Sequence, residues 1–406
     1  MIRRILFAWE MGDNFGHLTR DLGIAVKLRE MGHEVLFAVR DTEIAEQLLT
    51  PAGFRFIPTP TPVRTIRLAK PAASYTEILI GRGYADKMIL AGLVRAWLQI
   101  LELARPDAVV IDHAPTALLA ARIGGIPTAL IGTGFEIPPN TTPLPSIRPW
   151  DPLTPQQLEI ADRMLLRSVN LVLSSHNRTP LARVCDLFAD CYALLTTFPA
   201  LDHYGPRAER EYIGPLAAHS NALRVEWPSD ARNRVFVYLR APFTQFDALF
   251  SAFSELDINA VCVIPRHTAE LGRRFADRKI RLFSNPICMQ TILAQANVVV
   301  NYGGAGTIAT TLLAGVPMLL IPNAVEQYLG SRRVIQLEAG IVVERDPIQK
   351  SYATALRTLM TDARFRDAAY AFSKGHRGFN SENALQRAAT AVTKLAGRVP
   401  AHPNIG

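Results

Sequence analysis

Long apolar runs and cysteines are both scarce in this 406-residue chain. No run approaches the roughly 18 apolar residues that a membrane-spanning helix needs. The first residues, MIRRILFAWE, form too short an apolar run for a secretory signal, and Glu10 and Asp13 follow closely. The four cysteines, at positions 185, 191, 262 and 288, lack metal-type spacing. We therefore expect a globular cytoplasmic protein with free thiols, neither membrane-spanning nor stabilised by disulfides.

Acidic residues are under-represented, but only in the second half of the chain. The formal net charge is +8, and residues 216–406 carry all of it, because residues 1–215 are neutral. A basic half suits an anionic ligand or surface, although a solvated basic face explains it equally well. Basic runs with interleaved aromatics, zinc-finger patterns and RNA-recognition signatures are missing, so we expect no nucleic-acid partner.

Apolar periodicity in the first half predicts alternating strands and helices, which is typical of a parallel α/β sheet. The predicted strands are Ile5–Trp9, Glu34–Val39, Asp107–Ile111, Pro127–Ile131 and Leu171–Leu173. The predicted helices are Leu18–Met31, Tyr84–Leu103 and Thr116–Ile123. Two proline-rich stretches, 57–72 and 136–155, are expected to be loops.

A second α/β pattern begins near residue 234 and predicts a second doubly wound domain. Its strands are predicted at Val235–Leu239, Asn259–Ile264, Asn297–Val300, Met318–Ile321 and Ile341–Val343, and its helices at Phe246–Ser254, Thr307–Ala314 and Arg333–Ala339. We expect an N-terminal domain over 1–215, a linker over 216–233, a C-terminal domain over 234–385, and a helix and tail over 386–406. Two such Rossmann-like domains would face each other across a cleft.

A glycine-rich turn, Asn301-Tyr302-Gly303-Gly304-Ala305-Gly306-Thr307, lies between a predicted strand and helix. Glycines let the backbone approach phosphate oxygens, and the helix start offers free N–H groups and partial positive charge. Thr307 could cap that helix. A tight turn without ligand remains an alternative, since the turn matches neither the P-loop nor the dinucleotide fingerprint.

The wider context of this turn resembles the donor-binding region of GT-B glycosyltransferases. The shared motifs, in order, are Asn301–Thr307, Ala314–Pro317, Ile321-Pro322 and Glu326-Gln327. Earlier in the chain, Gly16-His17, Ala108–Asp112 and Tyr212–Pro215 resemble the N-terminal half of the same superfamily. The most similar branches are bacterial macrolide and antibiotic glycosyltransferases and UDP-glycosyltransferases. The resemblance implies a GT-B fold.

The resemblance also implies roles for individual residues. His17 would be the general base, oriented by Asp112. The donor would contact Met289, Tyr302, Gly303, Gly304, Gly306, Thr307, Glu326 and Gln327. The reaction would invert the anomeric centre without metal or cofactor, moving a sugar from UDP or dTDP to a hydroxyl of a small, largely apolar acceptor.

The chain departs from the superfamily pattern at several positions. Tyr302 stands where a phosphate-contacting histidine is usual, and Thr310 replaces an acidic residue near the donor ribose. Gly330 replaces an asparagine that commonly follows the acid–glutamine pair. Arg240 could supply the positive charge that tyrosine lacks, because guanidinium groups suit phosphate.

Several alternatives stay open at the level of sequence. A nucleotide-sugar epimerase and a non-catalytic nucleotide-sugar binding protein would share the fold. His17 could merely begin a helix and Asp112 cap one, while His113 is interpreted as structural. A lipid acceptor with peripheral membrane contact is a variant that we rank lower, because the sequence shows no amphipathic anchor. The oligomeric state is left open.

Overall fold

The computed structural model describes residues 1–13, 15–216, 223–228, 230–239, 243–265, 269–274, 279–343 and 352–398. The chain divides into two compact units. Unit 1 combines Met1–Ala218 with Asn380–Gly406, and unit 2 is His219–Phe379. Among the described helices, none combines the length and the hydropathy that a bilayer crossing requires. All four cysteines are unpaired.

Unit 1 is built on a parallel sheet in the order β3-β2-β1-β4-β5-β6-β7. Its strands are β1 (Arg4–Trp9), β2 (Glu34–Val39), β3 (Arg55–Pro58), β4 (Ala108–Asp112), β5 (Thr128–Gly132), β6 (Tyr192–Leu195) and β7 (Glu211–Tyr212). The central strands β1, β4 and β5 are almost wholly buried. Continuous apolar runs are typical of parallel strands covered on both faces, which is why the sequence predicted these strands well.

The helices of unit 1 cover that sheet. They are α1 (Phe15–Glu30), α2 (Thr42–Leu48), α3 (Tyr75–Leu79), α4 (Lys87–Ala104), α5 (Pro115–Gly124) and α6 (Pro155–Ser175). A π-helical turn covers Ile80–Tyr84, and 3₁₀ turns cover Val184–Phe188 and Pro199–Leu201. The strand predicted at Leu171–Leu173 is wrong, because these residues form the last part of α6. A capping box at Thr154 and Gln157 starts α6 well upstream of them.

Unit 2 contains a second parallel sheet, in the order β10-β9-β8-β11-β12-β13. Its strands are β8 (Arg234–Tyr238), β9 (Asn259–Val263), β10 (Ile280–Phe283), β11 (Val298–Asn301), β12 (Met318–Leu320) and β13 (Gly340–Val342). Its helices are α7 (Phe246–Glu255), α8 (Ala269–Arg274), α9 (Met289–Leu293), α10 (Ala305–Leu313), α11 (Val325–Gln336), α12 (Tyr352–Thr361) and α13 (Ala363–Gly375). The helix predicted at Arg333–Ala339 therefore begins and ends earlier, as α11.

The predicted linker, 216–233, is described only in part. Residues 217–222 and 229 lie outside the described residues. Within it, Val225 and Trp227 are buried, and Trp227 Nε1 donates to Ile292 O at 3.0 Å. This part of the linker therefore belongs to unit 2, where the Trp227 side chain is buried and hydrogen-bonded to Ile292.

The last helix, α14 (Ser381–Ala396), belongs to unit 1, so the predicted C-terminal domain boundary at residue 385 differs from the observed one. Its apolar face, including Leu385 and Val392, joins the core formed by α1 and the first sheet. Gly23 of α1 allows this packing, because a Cβ there would lie 2.8 Å from Leu385 Cδ2. The sequence alone could not show this return to unit 1.

Candidate active site

His17 and Asp112 come together at the carboxyl edge of the first sheet. His17 lies in the first turn of α1, and Asp112 is the last residue of β4. Because β1 and β4 are neighbours, with Trp9 paired to Asp112, the loop after β1 brings α1 over the end of β4. His17 Nδ1 lies 2.8 Å from Asp112 Oδ1. Asp112 is fully buried, whereas the His17 side chain keeps 15% of its surface exposed.

Two neighbours define the position of the His17 imidazole. Trp9 stacks against it with ring centroids 5.6 Å apart, and Trp9 Nε1 donates to Met11 O at 2.7 Å. On another side, Gly12 adopts φ +83°, and a Cβ on it would lie 2.3 Å from His17 Nε2. The ring is therefore held between an aromatic plane and a backbone that must lack a side chain.

Arg20 lies one turn after His17 on α1 and joins the same cluster. It donates through Nη2 to Asp112 Oδ1, and the same nitrogen lies 3.4 Å from Glu136 Oε1 and from His17 Nδ1. Glu136 in turn accepts from Thr133 N at 3.0 Å. The guanidinium thus bridges two buried carboxylates and holds the pKa of Asp112 well below its ordinary value, although burial opposes this.

Asp21, next to Arg20, is fully buried, and both of its carboxyl oxygens lack a hydrogen-bond partner among the described residues. The Oδ2 atom of Asp112 lacks one too. Burial, and then the neighbouring carboxylate of Asp112, raise the pKa of Asp21 well above its ordinary value. A protonated Asp21 can donate to the free oxygen of Asp112, which would satisfy both side chains at once.

The two histidines at the site have opposite electrostatics. Burial lowers the pKa of His17, but the charge and hydrogen bond of Asp112 outweigh it, so the pKa ends above its ordinary 6.5. Burial lowers the pKa of His113 to about 4, which keeps that ring neutral. His17 therefore has the electrostatic environment of a proton acceptor, and His113 does not.

A buried aromatic cluster of Tyr75, His113, Phe135 and Phe188 reaches His17 through His113. The ring centroid of His113 lies 6.1 Å from that of His17 and 5.8 Å from that of Tyr75. Tyr75 packs edge-on against Phe135 at 6.2 Å and Phe188 at 5.9 Å. The surroundings of the His17–Asp112 pair on this side are therefore largely apolar.

The glycine-rich turn of unit 2 joins β11 to α10 with a partly different geometry from that predicted. Gly304 is the N-cap of α10, so Thr307 lies inside the helix and does not cap it. Asn301 Oδ1 accepts from Gly303 N at 2.7 Å, which removes the Gly303 amide from the free donors. The amides from Ala305 onward remain, because the first N–H groups of a helix have no intrahelical partner. Gly304 and Gly306 face open space.

Tyr302 is buried and packs with the apolar core of unit 2. Thr310 donates its hydroxyl to Gly306 O at 2.8 Å. These two departures from the superfamily pattern are therefore accommodated by the fold of unit 2 itself.

The acid–glutamine pair lies at the start of α11, directly beside the glycine-rich turn. A Cβ on Gly303, which has φ +84°, would lie 2.4 Å from Ser331 Oγ and 2.8 Å from Gln327 O. Gln327 Oε1 caps α11 by accepting from Asn323 N at 2.8 Å. Glu326, in the first turn of the same helix, is half-buried.

Met289 begins α9, a few residues after the carboxyl end of β10, and is half-buried. The glycine-rich turn and the acid–glutamine pair follow β11 and β12 at the same edge of the sheet. Arg240 lies outside the described residues, so its predicted compensating charge is not located.

Sequence reasoning missed Arg20, Asp21 and Glu136. The first two could have been found, since positions 17, 20 and 21 fall on one face of a helix. Glu136 could not, because its approach depends on the loop after β5. Tyr204 and Arg207 anchor that loop by donating to Phe135 O at 3.1 Å and Ile137 O at 2.6 Å.

Comparison with known proteins relates the chain to glycosyltransferases. Residues 247–377 match the model of the "Erythromycin biosynthesis protein CIII-like, C-terminal domain". A "PGL/p-HBAD biosynthesis rhamnosyltransferase" of Mycobacterium bovis (strain BCG / Pasteur 1173P2) is 27% identical over 409 residues, covering 95% of this chain and 88% of that protein. The glycotransferase of kitacinnamycin superposes with a TM-score of 0.72 at 20% identity, covering 98% of this chain and all of the other. The glycosyltransferase VinC, solved in complex with dTDP, gives 0.68 at 18% identity, covering 98% of this chain and all of the other.

The chain has the GT-B fold and is a glycosyltransferase. The fold predicted from the sequence is confirmed, and the two parallel sheets correspond to the two Rossmann-like domains of that architecture. The donor of this glycosyltransferase is a nucleotide sugar.

Proposed function

We propose that this glycosyltransferase moves a sugar from dTDP or UDP to a hydroxyl of a small, largely apolar acceptor, with inversion at the anomeric carbon. The observation that carries the proposal is the His17 Nδ1–Asp112 Oδ1 distance of 2.8 Å. A carboxylate at Nδ1 favours the tautomer whose proton sits there, which leaves Nε2 as the basic nitrogen. The raised pKa of His17 strengthens that base.

The reaction proceeds as one displacement. The acceptor hydroxyl gives its proton to His17 Nε2 while its oxygen forms a bond to the anomeric carbon. The bond from that carbon to the diphosphate oxygen breaks, and the nucleoside diphosphate leaves with the electron pair. A single displacement from the opposite side inverts the anomeric configuration.

The leaving diphosphate is met by the start of α10. The free amides there, together with the open approach at Gly304 and Gly306, suit an anion without a metal ion. Glu326 would accept hydrogen bonds from sugar hydroxyls, and Gln327, whose carbonyl oxygen caps α11, would donate through its amide nitrogen. We propose accordingly that no metal and no cofactor besides the donor is required, and a chelator should leave the transfer rate unchanged.

The buried aromatic cluster of Tyr75, Phe135 and Phe188 reaches His17 through His113 and makes this side of the base apolar, which favours an apolar acceptor. The dTDP-bound VinC structure and the rhamnosyltransferase relative make dTDP-deoxyhexoses the first donors to try. A thermal-shift screen of dTDP, UDP and their sugars identifies the donor, because a ligand that binds the folded state raises the melting temperature.

The decisive variant is His17→Ala, assayed with the donor found in that screen. We expect transfer to fall by about 10²- to 10⁴-fold, the usual contribution of general-base catalysis, while the donor-induced thermal shift is retained. His176→Ala, which removes a histidine at the end of α6, is the matched control. Unchanged transfer in His17→Ala would refute the proposed base, and epimerised donor without acceptor would indicate the epimerase alternative.

A further inference from the structure

The exposed face of α6 carries apolar side chains in a line. Thirteen large apolar residues are exposed among the described residues, and three of them, Ile160, Met164 and Leu171, lie on this one helix. Their exposed fractions are 58%, 52% and 44%. At 100° per residue the three positions fall within about 40° of one another around the helix axis. They form a stripe, which we call the α6 stripe, about 16 Å long.

The charges beside the α6 stripe sum to a positive value. Arg163 and Arg167 are exposed there. Glu159, whose side chain is 45% exposed, pairs with Arg163 at 3.3 Å, so the two arginines and this glutamate leave a net charge of +1. Asp162 is buried and accepts from Thr76 Oγ1 at 2.6 Å and Leu144 N at 3.0 Å. The acidic groups of this helix are thus paired or turned inward, and the outward charge is cationic.

We propose that the α6 stripe with Arg163 and Arg167 docks on the surface of an anionic lipid bilayer. A helix that presents apolar side chains flanked by arginines can bury them at the level of the headgroups while the guanidinium groups meet lipid phosphates.

Charge favours the bilayer over a second copy of the chain. In a two-fold contact the same patch faces itself, so two surfaces with the same net positive charge would be brought together. Arg167 lies between Met164 and Leu171 along the stripe, so its charge would lie within that contact. An anionic leaflet instead attracts each cation.

The inference goes beyond the proposed transfer reaction and does not depend on it, because binding to vesicles requires no catalysis. This surface was not predicted from the sequence, because Leu171–Leu173 was predicted to be a strand and the helical spacing was therefore not recognised. Only the continuous helix from Pro155 to Ser175 places the three apolar residues on one line.

The test is flotation of the full-length protein with vesicles of phosphatidylcholine alone or mixed with phosphatidylglycerol, at about 0.05 M and about 0.5 M salt. We expect binding to the anionic vesicles at low salt and little binding to neutral ones. The variant I160S/M164S/L171S should bind about tenfold less, because its apolar contacts are lost. The variant R163Q/R167Q should lose about tenfold at low salt and little at high salt.

Two control variants separate this surface from general surface properties. M88S/L103S removes two exposed apolar residues of α4, and R366Q/R377Q removes two exposed cations of unit 2. Both should bind vesicles as the unchanged protein does, and all variants should keep their melting temperature and their transfer to a soluble acceptor.

The proposal is overturned if the unchanged protein fails to float with anionic vesicles, or if I160S/M164S/L171S floats equally well. It is also overturned if sedimentation velocity shows a dimer that this variant dissociates, because the stripe would then be an interface between copies. None of these results would alter the assignment of His17, which is tested by transfer to a soluble acceptor.

Discussion

The backbone of Gly12 and the imidazole of His17 share a space that leaves no room for a side chain at position 12. The missing Cβ would lie 2.3 Å from Nε2, the nitrogen to which we assign proton transfer. The glycine in the turn after β1 is therefore part of what positions the proposed base.

Gly12→Ala should lower transfer by tenfold or more, because the methyl group would displace the imidazole from Asp112. Its positive φ also adds strain, and we expect a loss of stability of about 1–2 kcal/mol. Gly32→Ala is a matched control, since Gly32 has a similar φ of +86° but nothing within 4 Å of its Cβ position. Equal transfer by the two variants, with equal melting temperatures, would contradict the assignment.

The pH dependence of kcat/KM should rise along a limb whose pKa lies above the ordinary 6.5 of histidine. His17 must be neutral to accept a proton, and Asp112 stabilises its charged form, so activity appears only as pH rises through the raised pKa. Asp112→Asn should move this limb to lower pH and reduce the rate by about 10²-fold or more. Asp107→Asn, directly before the same strand, should leave the limb in place. A limb that stays unmoved in Asp112→Asn would exclude His17 as the titrating group.

We expect protonated Asp21 to influence the His17–Asp112 pair by donating a hydrogen bond to Asp112 Oδ2. If its carboxyl donates to Asp112 Oδ2, Asp21→Asn keeps a donor there and should retain most of the activity. Asp21→Leu leaves that oxygen unpartnered, which concentrates negative charge on Asp112 and should shift the ascending limb to higher pH. The comparison is made on full pH profiles, since a merely structural residue would change rate or stability without moving the limb. Identical profiles for the two variants would rule the hydrogen bond out.

Substitutions at two glycines of the turn after β11 should have different effects, one on the stability of unit 2 and the other on donor affinity. Gly303→Ala should destabilise unit 2 by about 2–4 kcal/mol, because its φ is +84° and its Cβ would clash with Ser331 and Gln327. Gly306→Ala should leave stability unchanged or slightly higher, as alanine favours helices. Its methyl group would nonetheless stand at the start of α10, and we expect donor affinity to fall about tenfold. Chemical denaturation and titration with the nucleoside diphosphate measure the two effects, and unchanged affinity in Gly306→Ala would place the diphosphate elsewhere.

Glu10 should make stability depend on pH. Its carboxylate accepts from Trp97 Nε1 and from Thr116 N, and burial raises its pKa to about 7. The folded chain therefore holds this proton to higher pH than the unfolded chain, so stability should fall as pH rises from about 4.5 to about 7. Glu10→Gln should remove roughly 2 kcal/mol of that decline. Urea unfolding at pH 5 and at pH 8 tests this, and an equal decline in both proteins would show that Glu10 is not responsible.

How much the sequence predicted depended on the range of the interactions involved. The strand Glu34–Val39 was predicted with the bounds that the structure shows, because a short run of apolar residues is a local feature of the sequence. The strand predicted at Leu171–Leu173 was wrong, because a short apolar run can belong either to a strand or to a buried helix. His17 and Asp112 were found through motif resemblance, and their separation of 95 positions could not have suggested a hydrogen bond. Arg20 and Glu136 complete that cluster only through the tertiary fold, as does the placement of α14.

The place of α14 in unit 1 has a consequence for how the protein is made. Leu385, Ala388, Ala389 and Val392 complete a core whose other residues come from the first half of the chain, and all of unit 2 lies between them in sequence. During synthesis from the N-terminus, unit 2 can close as soon as residue 379 has left the ribosome. Unit 1, although translated first, can bury its α1 surface only after the final helix has emerged, so it is the unit most exposed to chaperones and proteases while the chain is nascent.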